Sequence, residues 1–163
     1  MQEIIRLNID DLNPEKKEVL RNQGILSESN LDDTIEMILE SALNEYMDLI
    51  EPLGMTKPVS KDDFAEIYYG EGLNEEPSPA GDIFPKAYRM ALFAVTLGKK
   101  INQRIAKLFD KNDFASASML DSVASAGADK AADILEGMYR GEIMKDYPKP
   151  DELGVLRYSP GYT

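Results

Sequence analysis

The sequence predicts an α+β fold that is predominantly helical, and three observations predict it. Apolar residues recur every three and four positions through two long stretches, one opening near Asn30 and one near Asn112. Strand-like patterning is confined to short segments, "QEIIRLNI", "AYRMALFAVTLG" and, as one of two readings, "FAEIYY". The 163 residues, 43% of them hydrophobic, suit one ordinary domain with a real core, and no internal repeat or low-complexity run divides it.

Taken in order, "QEIIRLNI" alternates and ends in an Asp-Asp turn, which reads as a short edge strand. "NPEKKEVLRNQG" reads as a short helix: Asn13 caps, Pro14 takes the first helical position, Glu15 lies in the first turn and Gly24 stops it. "SNLDDTIEMILESALNEYMDLIEP" is the clearest helix, with Leu31, Ile35, Ile38, Leu39, Ala42, Tyr46 and Leu49 on one face. Asn30 with Asp33 resembles a capping box, and Pro52 ends the helix. The acids between its apolar positions read as a solvated face, not as paired catalytic carboxylates.

Residues 52–85 read as an irregular segment around one ordered piece, "FAEIYY", a strand or a helix. Tyr68 and Tyr69 there either pack or face a ligand, and the acidic, Gly- and Pro-bearing stretch 70–82 is expected to be the most mobile internal part. "AYRMALFAVTLG" fits a buried strand turning into the next helix, or the end of a helix; periodicity does not decide. "KKINQRIAKLFD" is amphipathic, with Ile101, Ile105, Leu108 and Phe109 on one side. A second long helix follows at about 112–139, capped by Asn112. Its seam of Ala117, Leu120, Ala124, Gly127, Ala128 and Ala131 is mostly small, so another backbone or a ligand can come close. Gly127 mid-helix costs about 1 kcal/mol against Ala, which implies a packing reason.

Composition excludes several chemistries. With no His and no Cys there is no imidazole base, no thiolate, no disulfide and no Cys- or His-ligated metal site. A net charge of −12 argues against sequence-independent nucleic-acid binding and against anionic membrane surfaces. No apolar run is long enough to span a bilayer and no signal-like segment opens the chain, so a cytoplasmic location is expected. Dinucleotide, P-loop and calcium-loop motifs are absent.

The closing stretch "RYSPGYT" stands apart. Ser159-Pro160-Gly161-Tyr162 is a type II turn signal, flanked by the cation of Arg157 and the ring of Tyr162. Locally it is either a small-ligand corner or a surface tail that contains a turn.

Three stretches in order, "EVLRNQG", "ALFAVTLGKKI" running into "LFDKNDFASASMLDSVASAGADKAADIL", and "RYSPGY", resemble the activation domain of cobalamin-dependent methionine synthase and its stand-alone corrinoid-methyltransferase-associated relatives. The resemblance spans most of the chain except 52–85. It implies an activation-domain-like α/β fold that binds S-adenosylmethionine and presents that methyl donor to a cobalamin carried by a partner. It also implies that the Arg-x-x-x-Gly-Tyr element holds the ligand. Arg157 would meet its carboxylate; the turn of Ser159 and Gly161 with Tyr162 would hold the adenosyl part. The family's acidic ligand position falls on Ser125, with Asp121 and Asp129 one turn away on either side. Relatives continue beyond the Gly-Tyr step, so this chain is expected to lack the C-terminal part of the central sheet, leaving half of the site missing or supplied by a second chain in a homo-oligomer.

The function implied is an accessory protein of cobalamin-dependent methyl transfer that binds S-adenosylmethionine or a corrinoid protein. Reduced cobalt is the nucleophile in that chemistry, so the chain would contribute positioning and no catalytic residue. The alternative is a non-catalytic interaction or scaffold subunit of a corrinoid methyltransferase complex that has lost ligand binding.

Overall fold

In the computed structural model, which describes residues 3–26, 31–70, 79–149, 152 and 154–158, helices dominate and three strands form one antiparallel sheet. The elements are β1 (Glu3–Arg6), α1 (Lys16–Asn22), α2 (Asp33–Leu49), β2 (Leu53–Val59), α3 (Lys61–Gly70), α4 (Pro79–Ile83), β3 (Met90–Thr96), α5 (Lys99–Asp110) and α6 (Phe114–Asp146). Short 3-10 turns cover Ile9–Leu12 and Phe84–Lys86. The sheet order is β1-β2-β3, so β1 is the edge strand its alternation predicts.

The helix ends correct several expectations. Asn13 closes the 3-10 turn and does not cap α1, whose N-cap is Glu15; Pro14 lies outside the helix. Gly24 does stop the segment, at φ +75°. Asp32 caps α2 by accepting from the Thr34 N–H at 2.8 Å, which holds its carboxyl below its ordinary pKa. The expected partner Asn30 lies outside the described residues. α6 is capped by Asp113, whose carboxylate accepts from the Ser116 N–H at 3.3 Å. Asn112 stands one residue earlier at φ +59°, turning the chain between α5 and α6. α6 also runs beyond 139, to Asp146.

Residues 52–85 are more regular than their composition suggests. "FAEIYY" lies within α3, and Leu53–Val59 form the central strand despite Gly54 and Pro58. The Leu7 N–H donates to the Pro52 carbonyl at 3.3 Å, an antiparallel register that ends β1 against the first half of β2. Lys57, Pro58 and Val59 run past it, where a missing N–H costs that ladder nothing. The stretch expected to be most mobile falls largely on residues 71–78, outside the described ones.

Two compact units interleave along the chain. The larger comprises Ile4–Gly54 and Val95–Leu135, the smaller Met1–Glu3, Met55–Ala94 and Glu136–Thr163. The larger unit holds the hydrophobic core, in which Leu12, Val19, Leu20, Leu39, Tyr46, Ile101, Leu120 and Val123 are fully buried. At Gly127 the small-residue seam of α6 is filled by the side chain of Tyr46. An added Cβ on Gly127 would stand 2.0 Å from the Tyr46 hydroxyl oxygen. That hydroxyl donates to the Leu12 carbonyl at 3.2 Å. Gln23 donates to the buried Ser122 hydroxyl at 2.6 Å, also within the larger unit. The smaller unit is organised by aromatic contacts: Phe64, Tyr68, Tyr69 and Phe84 group together, Phe64 and Phe84 with centroids 5.3 Å apart.

Candidate functional site

A cavity of about 350 Å³ lies in the smaller unit. Three sequence segments line it. Pro58 and Val59 end β2, Ser60 precedes α3 and Lys61 begins it; Tyr88 and Arg89 lead into β3 at Met90; Tyr139, Glu142 and Ile143 come from α6.

Local chemistry fixes each segment. Ser60 and Asp63 form a reciprocal cap at the start of α3: the Asp63 N–H donates to the Ser60 hydroxyl oxygen at 3.1 Å, and that hydroxyl donates to the Asp63 carboxylate at 2.6 Å. Lys61 is tied back by donating to the Pro85 carbonyl at 2.6 Å. On α6, Tyr139, Glu142, Ile143, Asp146 and the following Tyr147 recur at three and four residues and therefore share a face. This stripe secures the segment before β3. Tyr88 meets Tyr147 edge to face at 4.9 Å, and the Arg89 guanidinium lies 3.9 Å from the Asp146 carboxylate and 5.6 Å from the Tyr88 ring centroid.

The lining is amphoteric. Arg89 offers a planar fork to a carboxylate, Glu142 offers an anion to an amine or sulfonium, and two phenol rings offer stacking faces. Burial pushes the Tyr139 phenol above its ordinary pKa; Arg89 acts against this and Glu142 adds to it. Tyr139 is therefore a protonated hydrogen-bond donor at neutral pH. The volume is near the lower end for small-ligand pockets and too small to enclose a corrin ring.

Of the candidate ligand residues singled out in the sequence, Arg157 and Ser125 are among those described. Arg157 belongs to the smaller unit, where its guanidinium stands 3.7 Å from the Glu136 carboxylate. Ser159, Pro160, Gly161 and Tyr162 lie outside the described residues. Ser125 is exposed on α6 within the larger unit, flanked by exposed Asp121 and Asp129. Sequence reasoning missed Arg89, Tyr139 and Glu142. A signal existed for the last two, the continued spacing of 139, 142, 143, 146 and 147, hidden by ending the helix near 139. Among the described residues no group of three or more acids is placed to hold a metal ion, and no helix is long and apolar enough to cross a membrane.

No protein-family model matches the chain, and no curated protein matches it.

Proposed function

We propose that this chain is a binding protein, related to the methionine synthase activation domain, that takes S-adenosylmethionine as an accessory to cobalamin-dependent methyl transfer. The observation that carries the reading is the amphoteric cavity of the smaller unit. S-Adenosylmethionine bears a carboxylate, an ammonium, a sulfonium and a purine. Arg89, Glu142 and the rings of Tyr88 and Tyr139 supply a complement to each within one cavity. The cobalamin itself would stay on a partner corrinoid protein, since the cavity is too small for it. Arg157, the cation of the Arg-x-x-x-Gly-Tyr element, lies in the same unit and would exchange its Glu136 contact for the ligand carboxylate if the turn takes part.

Titration with S-adenosylmethionine, followed by heat and by melting temperature, tests this. Ligand at 100 times Kd should stabilise the chain by about 2.7 kcal/mol. Arg89→Ala should weaken binding by about 1.5–3 kcal/mol, the range for hydrogen bonds to charged groups. Arg157→Ala should weaken it equally if the closing turn contributes. Absence of any shift at millimolar ligand rejects the reading. The scaffold alternative draws on a separate observation: Ile67 and Tyr69 of α3 and the neighbouring Ile83 are exposed apolar side chains of the smaller unit. It predicts no heat with the methyl donor and retention of a corrinoid protein.

A further inference from the structure

The charged groups that line the cavity of the smaller unit are not equally engaged. Arg89 stands against the Asp146 carboxylate at 3.9 Å, and Lys61 donates to the Pro85 carbonyl at 2.6 Å. Neither Asp146 nor Pro85 belongs to the lining, so both cations are held from outside it. Glu142 is the remaining charged residue of the lining, and among the described residues it forms no ion pair and no hydrogen bond. A ligand carboxylate has to compete with Asp146 for Arg89. A ligand cation meets Glu142 without displacing anything. The charge that the cavity leaves open is therefore negative.

Position along α6 decides which cation Glu142 meets. Glu142 and Asp146 are one turn apart on one face, with Cβ atoms about 5–6 Å from each other. Arg89, at Asp146, marks where a ligand carboxylate binds; Glu142 lies a turn further toward Tyr139. Tyr139 precedes Glu142 by one turn, so its ring neighbours the carboxylate. Beyond the burial that raises the Tyr139 pKa, Arg89 lowers it and Glu142 raises it, so both charges act on that phenol. In S-adenosylmethionine the ammonium sits on the carbon that bears the carboxylate, and the sulfonium lies beyond the methylenes that follow. A carboxylate on Arg89 keeps the ammonium beside it and carries the sulfonium toward Glu142. A sulfonium has no N–H to donate, and a carboxylate beside an aromatic ring suits it through charge and ring quadrupole.

We propose that Glu142 is the specificity-determining residue of this cavity: it reads the sulfonium charge, so that the cavity takes the charged methyl donor and gives up the neutral thioether left after transfer. This rests on the ligand reading above. Methyl transfer breaks a carbon–sulfur bond, leaves its electron pair on sulfur and passes the methyl group to the reduced cobalt of the partner. The ligand loses one positive charge, at the atom beside Glu142, while its carboxylate, ammonium and adenosyl parts stay the same. Spent ligand is then held less tightly than fresh ligand, which favours exchange of product for donor. Glu142 is exposed, so water screens it, and an exposed charge pair with one cation–π contact sets a preference of about tenfold.

The test titrates the unmodified chain and its Glu142→Gln and Glu142→Asp variants with S-adenosylmethionine and with S-adenosylhomocysteine. Calorimetry at low and high salt gives the affinities, and circular dichroism confirms the fold of each variant. The unmodified chain should bind the sulfonium about tenfold more tightly than the thioether, less so as salt screens the charge. Glu142→Gln should bring the two ligands within about twofold of each other by weakening S-adenosylmethionine alone. Glu142→Asp, which keeps the charge, should restore part of the preference. Equal weakening of both ligands in Glu142→Gln overturns the proposal, because it puts the ammonium at Glu142. Equal affinities in the unmodified chain, or a preference that survives Glu142→Gln, also overturn it and leave the ligand reading standing. Binding of neither ligand by the unmodified chain rejects both.

Discussion

Gly127 and Gly137 share α6 and meet different surroundings. A Cβ on Gly127 would stand 2.0 Å from the Oη, 2.5 Å from the Cζ and 2.8 Å from the Cε2 of Tyr46. That ring is fully buried, and its hydroxyl is bonded to the Leu12 carbonyl, so it has no room to yield. Gly127→Ala should therefore destabilise the fold by about 1–3 kcal/mol through overpacking, although Ala is the better helix former by about 1 kcal/mol. Gly137 has no heavy atom within 4 Å of the same position, so Gly137→Ala should stabilise by about 0.5–1 kcal/mol. Urea midpoints of the two variants decide it; shifts of the same sign would refute the packing account. Tyr46 also carries a pH signature. Burial pushes its phenol from 10.0 to about 12, so the folded chain keeps this proton where the unfolded chain releases it. The associated stability is fully present below pH 10 and is lost as pH rises toward 12, amounting to about 3 kcal/mol. Tyr46→Phe should remove that part of the alkaline destabilisation, visible as a shallower fall of melting temperature across the same window. The small-residue seam was legible in the sequence as a demand for close approach. That a tyrosine meets the demand at Gly127 was not, because the pairing of Tyr46 with Gly127 joins residues far apart in the chain.

Among the elements, β1, α2 and α5 follow directly from apolar spacing. β2 does not, since Gly54, Lys57 and Pro58 each count against a central strand. Gly54 is there because its missing side chain leaves room for Leu135, whose Cδ1 would stand 3.1 Å from an added Cβ. Pro58 is there because β1 is too short to reach it. The turn into α5 shows a second glycine requirement. Gly98 is the N-cap of α5 at φ +87° and ψ 172°, a region open essentially to Gly alone. An added Cβ would lie 3.1 Å from the Glu51 Cβ and 3.4 Å from its backbone, beside the Glu51 N–H that donates to the Leu97 carbonyl at 2.8 Å. Gly98→Ala should cost about 1–3 kcal/mol in backbone strain. By contrast, Lys100→Ala removes only a solvent-exposed pair with Glu51 at 2.7 Å and should scarcely move the unfolding midpoint. If the two substitutions prove equal in denaturant, the turn is not held by the glycine.

At the scale of the molecule, packing and chemistry are divided between the two units. All but two, Tyr68 and Ile143, of the buried apolar side chains among the described residues belong to the larger unit. The cavity belongs to the smaller one, which relies on aromatic contacts and on half-exposed pairs such as Arg89 with Asp146. Composition gave no sign of this division, because the two units alternate along the chain. Apolar burial sets the free energy of local opening, so the units should not open together. Binding surfaces are commonly drawn from the less stable end of that range. Native-state hydrogen exchange measures it residue by residue. Amides of α2, α5 and the part of α6 up to Leu135 should exchange only through global unfolding, with denaturant slopes equal to that of the whole chain. Those of α3, and of α6 beyond Glu136, should exchange through smaller openings with shallower slopes and lower protection. Limited proteolysis should cut the second group first. Uniform slopes and protection across both groups would mean that the aromatic contacts of the smaller unit hold it as firmly as the core holds the larger. Any ligand of the cavity would then have to enter without local opening.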